Sequence, residues 1–270
     1  MTFLEVFVDP MVLFCASCIL TPLWVARAHL TTADVIEYFT EWSMAGALLL
    51  LPLSCLIGTL LQRRHARRIR ALQASVAGKK RGRAPDYAAA LRPLTYGERT
   101  RARWYLLNGI IIHMLMDGCV GVFKTSRLFA ENYAKLDKRY GDPLGSFNGA
   151  TVHVVSLMEL CVKGPLCVLL YWAFLTRHPM RDALEFFTCV TQAYGTVVYL
   201  GQEAVSGAPN LDVDYALTFS THYLLYFWFA IFFGCVLYFI VPGVLGWRSY
   251  QRLVRQAGFY QLYSRAATTE

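Results

Sequence analysis

The run YLLNGIIIHMLMDGCVGV, Tyr105–Val122, constrains this chain more than any other segment. It is long and apolar enough to make a helix through a bilayer, yet His113 and Asp117 stand within it, four residues apart. Hydrocarbon offers no water to pair them, so an ionisable couple at that depth must turn toward other helices or a cavity. A spacing of four puts both side chains on one helix face. Two readings are open: a polar site inside the membrane, or a buried polar pair that only locks helix packing. On both, the chain is an integral membrane protein.

Composition agrees. With 56% hydrophobic and 16% charged residues, the chain is too apolar for an ordinary soluble domain. The apolar residues gather into five to six candidate spans, at 8–26, 43–62, 104–124, 150–176, 183–204 and 220–246. The first is the weakest, since Pro10 and Pro22 interrupt it and Glu5 and Asp9 sit at its start. It reads as a span, a re-entrant piece or an interfacial segment. No basic stretch precedes it, so a cleaved signal peptide is disfavoured.

The net charge of +8 has a location that decides its meaning. Half of the 26 Lys and Arg residues fall between Arg63 and Arg103, in RRHARRIR, KKRGR and RTRAR. Between two apolar spans, such a run marks a cytoplasmic loop rather than a nucleic-acid site, and it can also attract anionic lipid heads. The other loops alternate in agreement. Residues 125–148 fall outside, Arg177, His178 and Arg181 inside, Gly207–Thr218 with Asp212 and Asp214 outside, and the tail with Arg248, Arg252, Arg255 and Arg265 inside. The eight cysteines lie in apolar runs and read as small apolar residues. Cys15-x-x-Cys18 has no second pair or His partner, so no metal or redox site is assigned to it.

The chain divides into an N-terminal membrane or interfacial segment (1–42), a first core helix (43–62), a basic linker (63–103), a four-helix portion (104–247) and a tail (248–270). No repeat and no Rossmann, P-loop or GxSxG pattern is present. Further polar residues lie inside the four-helix portion. Ser156 and Glu159 share a face, and Glu159 stands four residues before Lys163, the favourable order for an intrahelical ion pair. Such a pair is one role for Glu159; facing His113 and Asp117 is the other. Gly164-Pro165 should kink or break this helix. Gln192 is a mid-span amide that needs a partner, with Tyr194 beside it. Glu185 and Glu203 fall near the span's two ends, at interface depth. In the last span Tyr226, Trp228 and Tyr238 lie deep enough to offer π-faces to a cationic ligand or intermediate. Together these residues suggest a lipid-accessible cavity suited to proton transfer on a flat hydrophobic substrate.

Several blocks carry a family resemblance: WYLLNGIIIHMLMDG (104–118), NYAKLDKRYGD (132–142), KGPLCVLLYWAFLTRHPMR (163–181), TQAYGTVVYLGQE (191–203) and HYLLYFWFAIFFGCVLYFIVPGVL (222–245). In these the chain resembles the emopamil-binding protein family of EXPERA-domain membrane proteins, which includes sterol Δ8–Δ7 isomerase. APNLDVD (208–214) and the PGVLGWRSY tail also resemble an isomerase-like paralogue for which isomerase activity is not expected. The resemblance covers about 104–250. It implies an all-α bundle of five transmembrane helices in the endoplasmic reticulum membrane; residues 1–42, outside the resemblance, add a membrane or interfacial segment, and the loop charges set the C-terminus in the cytoplasm. It implies a pocket for sterols and for cationic amphiphiles, no metal or other cofactor, and a homodimer.

The resemblance also assigns residues. His113 matches the family's His, and Asp117 stands where the isomerase has Glu. Aligned on Gly164-Pro165-Leu166, Ser156 takes the place of the catalytic Glu and Glu159 that of a Thr. Lys163 replaces a Trp, Cys235 an Asn and Tyr238 a Trp. The expected catalytic set is therefore His113, Asp117 and Glu159, and the expected substrate-binding set Ser156, Gln192, Tyr194, Trp228, Cys235 and Tyr238. The expected function is sterol Δ8–Δ7 isomerisation by protonation and deprotonation; the alternative is a non-catalytic sterol- or lipid-binding member.

Overall fold

The computed structural model describes residues 9–77, 93–143, 146, 149–211 and 223–268, and every regular element among them is a helix. Helix α1 (Pro10–Ala26) starts where Asp9 accepts a hydrogen bond from the Met11 amide, with Pro10 at the first turn, where its missing N–H costs nothing. It runs unbroken past Pro22, which the sequence suggested as an interruption. Helix α2 (Thr32–Thr40) opens on a capping box of Thr31 and Asp34. Helix α3 (Trp42–Ala77) continues through the RRHARRIR run, where the sequence suggested a linker from residue 63. Arg, Ala, Leu and Gln are strong helix formers, and the run adds no Gly or Pro.

Residues 78–92 lie outside the described chain. Helix α4 (Tyr96–Val122) then begins on a second capping box, Thr95 with Glu98. It is α-helical over Tyr96–Leu106 and π-helical over Leu107–Val122. Residues 96–103, read from sequence as the end of the linker, are thus the first turns of the helix that carries His113. Helix α5 (Arg127–Leu136) leads to a short 3₁₀ turn (Lys138–Tyr140) capped by Asp137. Helix α6 (Ala150–Thr176) is not broken at Gly164-Pro165. Pro165 has no N–H for the carbonyl one turn back, and the ladder widens into a π turn over Glu159–Lys163 before resuming as α-helix. Helix α7 (Arg181–Ser206) ends at Gly207 in the left-handed region, φ 81°. Helix α8 spans 224–268, π-helical over Leu224–Phe233 and then α-helical to Thr268, where the sequence suggested a tail. Residues 212–222, with Asp212 and Asp214, lie outside the described chain.

Among the described residues three helices are long and apolar enough to cross a membrane: Met44–Ala74, Tyr96–Val122 and Ala150–Thr176. Helix α4 packs along α6, and α7 packs most extensively on α8. The main core gathers Trp104, Tyr105, Leu107, Leu170 and Phe174 around the α4–α6 contact. Met11 and Cys15 of α1 enter the same core, so the N-terminal segment is docked into the bundle. Cys55, Cys167 and Cys189 are buried there as thiols, the apolar role the sequence suggested. Leucine-sized side chains such as Leu49, Leu60, Val154 and Phe187 face outward, as a bundle in hydrocarbon allows.

Charged residues tie both ends. At the basic end, Glu185 is fully buried and accepts from Arg101, Tyr105, Ser249 and Arg252. Glu98 holds Arg181 at 2.9 Å and Arg177 at 3.4 Å. Buried Arg103 pairs with Asp9 and donates to Gln62, fixing α1 to α3 and α4. At the far end Arg139 is enclosed by Asp137 (2.6 Å) and Glu203 (3.1 Å), while Tyr199 donates to Asp137 and Asn210 to Glu203. Glu185 and Glu203, which the sequence placed at interface depth, are buried network centres.

Arg139→Met leaves Asp137 and Glu203 buried without their counter-ion, and a loss of about 3–5 kcal/mol is expected. Arg127→Ala removes only the exposed pair with Glu131 and should leave the midpoint unmoved. Thermal unfolding of the detergent-solubilised protein measures both.

Candidate functional site

The site forms where α4 and α6 come closest. A Cβ on Gly109 would stand 2.9 Å from the Gly164 carbonyl oxygen and 3.1 Å from the Cys167 Cβ, so only glycine lets the backbones meet this tightly. That approach brings the π turn of α6 against the wide π-helical stretch of α4. Wide turns of this kind often mark functional positions, because they re-aim side chains without ending the helix.

His113 and Asp117 point into this contact. The His113 Nδ1 lies 3.2 Å from Asp117 Oδ2 and 3.9 Å from Glu159 Oε1. Glu159 in turn lies 3.6 Å from the Lys163 Nζ. The two roles open to Glu159 in the sequence are therefore combined: it faces His113 and it pairs with Lys163. His113 Nε2 is buried and has no hydrogen-bond partner among the described residues. One ring nitrogen is engaged by carboxylate and the other is held in reserve.

Two tyrosines from the far end complete the cluster. Tyr133 of α5 donates to Asp117 Oδ1 at 2.5 Å, and Tyr140 shares a 3.1 Å hydrogen bond with the buried Ser156 hydroxyl. Their rings lie 4.3 Å apart. Burial, with the charge of Asp117 beyond it, pushes both phenols well above their ordinary range, so both keep their protons. Both stand on the segment that the Asp137–Arg139–Glu203 network anchors to α7.

On the other flank, the Tyr238 ring lies 6.4 Å from the imidazole and 6.3 Å from Trp104. Gln192 finds the partner a mid-span amide requires: it donates to Asn108 Oδ1 at 3.2 Å, and Asn108 donates to the Trp104 carbonyl at 2.7 Å. Of the residues expected from sequence, His113, Asp117, Glu159, Ser156 and Tyr238 are brought together, with Gln192 joined through Asn108. Two are not gathered there. Tyr194 is 70% exposed on the outer face of α7. Trp228 packs in a separate cluster with Ile19, Tyr38, Met44 and Leu225. The Cys235 side chain lies outside the described residues. Tyr226, also read as a deep aromatic, is buried in that second cluster and donates to Glu41.

Tyr133, Tyr140 and Asn108 are site residues that spacing within single spans did not reveal. The tyrosines were visible only as the two ends of YAKLDKRY, and Asn108 as a lone amide in an apolar run. The ligand atoms of His113, Asp117 and Glu159 lie within 4.8 Å of one another, close enough to hold a metal ion. The donor set fits that role poorly, since Lys163 already places a positive charge on Glu159 and Tyr133 occupies one Asp117 oxygen. A His, two carboxylates, an ammonium and two phenols in a buried cluster are groups that can hold and exchange protons.

Residues 126–249 match the family model of EXPERA (EXPanded EBP superfamily). The matched segment includes Tyr133, Tyr140, Ser156, Glu159, Gln192 and Tyr238 and begins after His113 and Asp117. The chain is 27% identical over 166 residues to the 3-beta-hydroxysteroid-Delta(8),Delta(7)-isomerase of Cavia porcellus, covering 58% of this chain and 66% of that protein. It is 25% identical over 166 residues to the Mus musculus protein of the same name, with the same coverage. For the Rattus norvegicus protein the identity is 26% over 162 residues, covering 57% of this chain and 64% of that one. The match thus spans just under two thirds of the length of these curated relatives.

Tyr133→Phe should leave one oxygen of the buried Asp117 without its donor, at a cost of about 1–3 kcal/mol. Tyr194→Phe, on the outer face, should cost nothing measurable. Paired thermal melts of the two variants check the assignment.

Proposed function

We propose that the chain is a sterol Δ8–Δ7 isomerase that works inside the bilayer by adding one proton and removing another. The observation that carries this is the half-engaged imidazole: His113 Nδ1 is held by Asp117, while Nε2 is buried without a partner among the described residues. In the imidazolium form, Asp117 fixes the ring and balances its charge, and Nε2–H is the acid. The proton goes to C9 of the substrate, the C8=C9 pair forms the new C–H bond, and a cation is left at C8. The C7–H bond then breaks, its electrons form C7=C8, and the proton passes to the Glu159 carboxylate. Once the product has left, Glu159 releases that proton to solvent and His113 takes one up, which resets the site. Asp117 and the π-face of Tyr238 support the passing cation, and exclusion of water protects it.

The same reading gives a flat uncharged sterol as ligand, with Gln192, Asn108 and Ser156 as polar contacts along the cavity. It places the chain in the endoplasmic reticulum membrane as a multi-pass, five-span bundle with a cytoplasmic C-terminus, supported by the alternation of basic and acidic loops. A homodimer is the assembly that the family resemblance favours.

One observation favours a second reading, a non-catalytic sterol- or lipid-binding protein. Glu159 is paired with the buried ammonium of Lys163 at 3.6 Å, so the carboxylate that would take the C7 proton already has a resident counter-ion. Expression in a cell lacking its own isomerase separates the two. The isomerase reading predicts that Δ8-sterol is converted to Δ7-sterol, and that His113→Ala lowers conversion by about 100-fold or more. Persistent Δ8-sterol at normal expression would leave the binding reading.

A further inference from the structure

Lys163 is the charged member of the cluster that the proposed chemistry does not use. Its side chain is buried against α7, where a Cβ on Gly195 would stand 3.0 Å from Nζ. On its other side, Nζ lies 3.6 Å from Glu159 Oε1. The ammonium is therefore seated between a carboxylate and a helix backbone whose glycine leaves room for it.

The acceptors in the site are divided unevenly. Asp117 has one oxygen on Tyr133 and the other by His113. Glu159 faces His113 and carries the pair with Lys163, so the place at which a ligand's positive charge would meet this carboxylate is already taken by an ammonium. An incoming ammonium must either displace a buried lysine or lie beside it, and like charges placed together without water repel strongly. An uncharged lipid meets neither obstacle.

We propose that Lys163 is a resident cation occupying the charge-binding position of this pocket, so that the pocket selects uncharged flat lipids over ammonium-bearing ones. This reverses, for this chain, the amine binding that the family resemblance implies. It rests on the reading that the cavity takes a flat lipid, and it does not require turnover.

The test is equilibrium binding to the purified full-length protein in lipid nanodiscs. The probes are a lipophilic tertiary amine and its N-acylated, uncharged counterpart. The wild type should bind the amide at least as tightly as the amine. In Lys163→Met the amine should gain about tenfold relative to the amide, because Glu159 then takes its counter-ion from the ligand. Lys163→Arg should keep the wild-type ratio. Should Lys163→Met fail to fold, Lys163→Gln should shift the ratio in the same direction. An unchanged ratio in the neutral variants, or a wild type that already prefers the amine by about tenfold, overturns the proposal while leaving the lipid pocket intact. If neither probe binds any form of the protein, the pocket reading fails and the proposal fails with it.

Discussion

The contact between His113 and Asp117, buried between α4 and α6, sets the terms for the groups around it. An ionisable pair inside hydrocarbon cannot be completed by water, so each remaining lone pair and proton must find protein or ligand. Asp117 reaches Tyr133, Glu159 reaches both His113 and Lys163, and Ser156 reaches Tyr140. The two tyrosines need a fixed base, and the buried Asp137–Arg139–Glu203 network supplies one. The far-end network and the mid-membrane cluster are in this sense one polar structure. It leaves the His113 Nε2 without a partner among the described residues.

A second structure of the same kind closes the basic end. Glu185 gathers Arg101, Arg252, Ser249 and Tyr105, and Arg103 ties Asp9 and Gln62. Arg101 and Arg103 stand on the first turns of α4, only a few turns before His113. The residues that give the chain its basic character therefore also hold the helix that carries the site. Buried pairs of this sort are weak evidence for stability but strong constraints on register, because a slipped helix leaves charge uncompensated.

Much of the fold was readable in the sequence. Apolar runs located α3, α4 and α6, and spacing alone put His113 with Asp117 and Glu159 with Lys163. What spacing within one helix cannot supply is contact between helices. It left Glu159 with two separate roles, whereas close backbone approach at Gly109 and Gly164 gives it both. It read Glu185 and Glu203 by their depth, although each is decided by arginines distant in sequence. Tyr194 and Trp228 had the right chemistry and span for a pocket, but helix rotation turns one outward and packing takes the other into a second cluster. Pro22 suggested an interruption and Pro165 a kink or break; α1 runs on past the first, and α6 widens into a π turn just before the second without ending.

The central claim is that the buried cluster around His113 delivers a proton to a bound sterol. Turnover of a Δ8-sterol by the purified protein in D₂O tests it most directly. The account predicts a Δ7 product carrying one solvent-derived deuterium at C9. Recovery of unlabelled, unconverted Δ8-sterol from protein that is folded and binds it would contradict the claim.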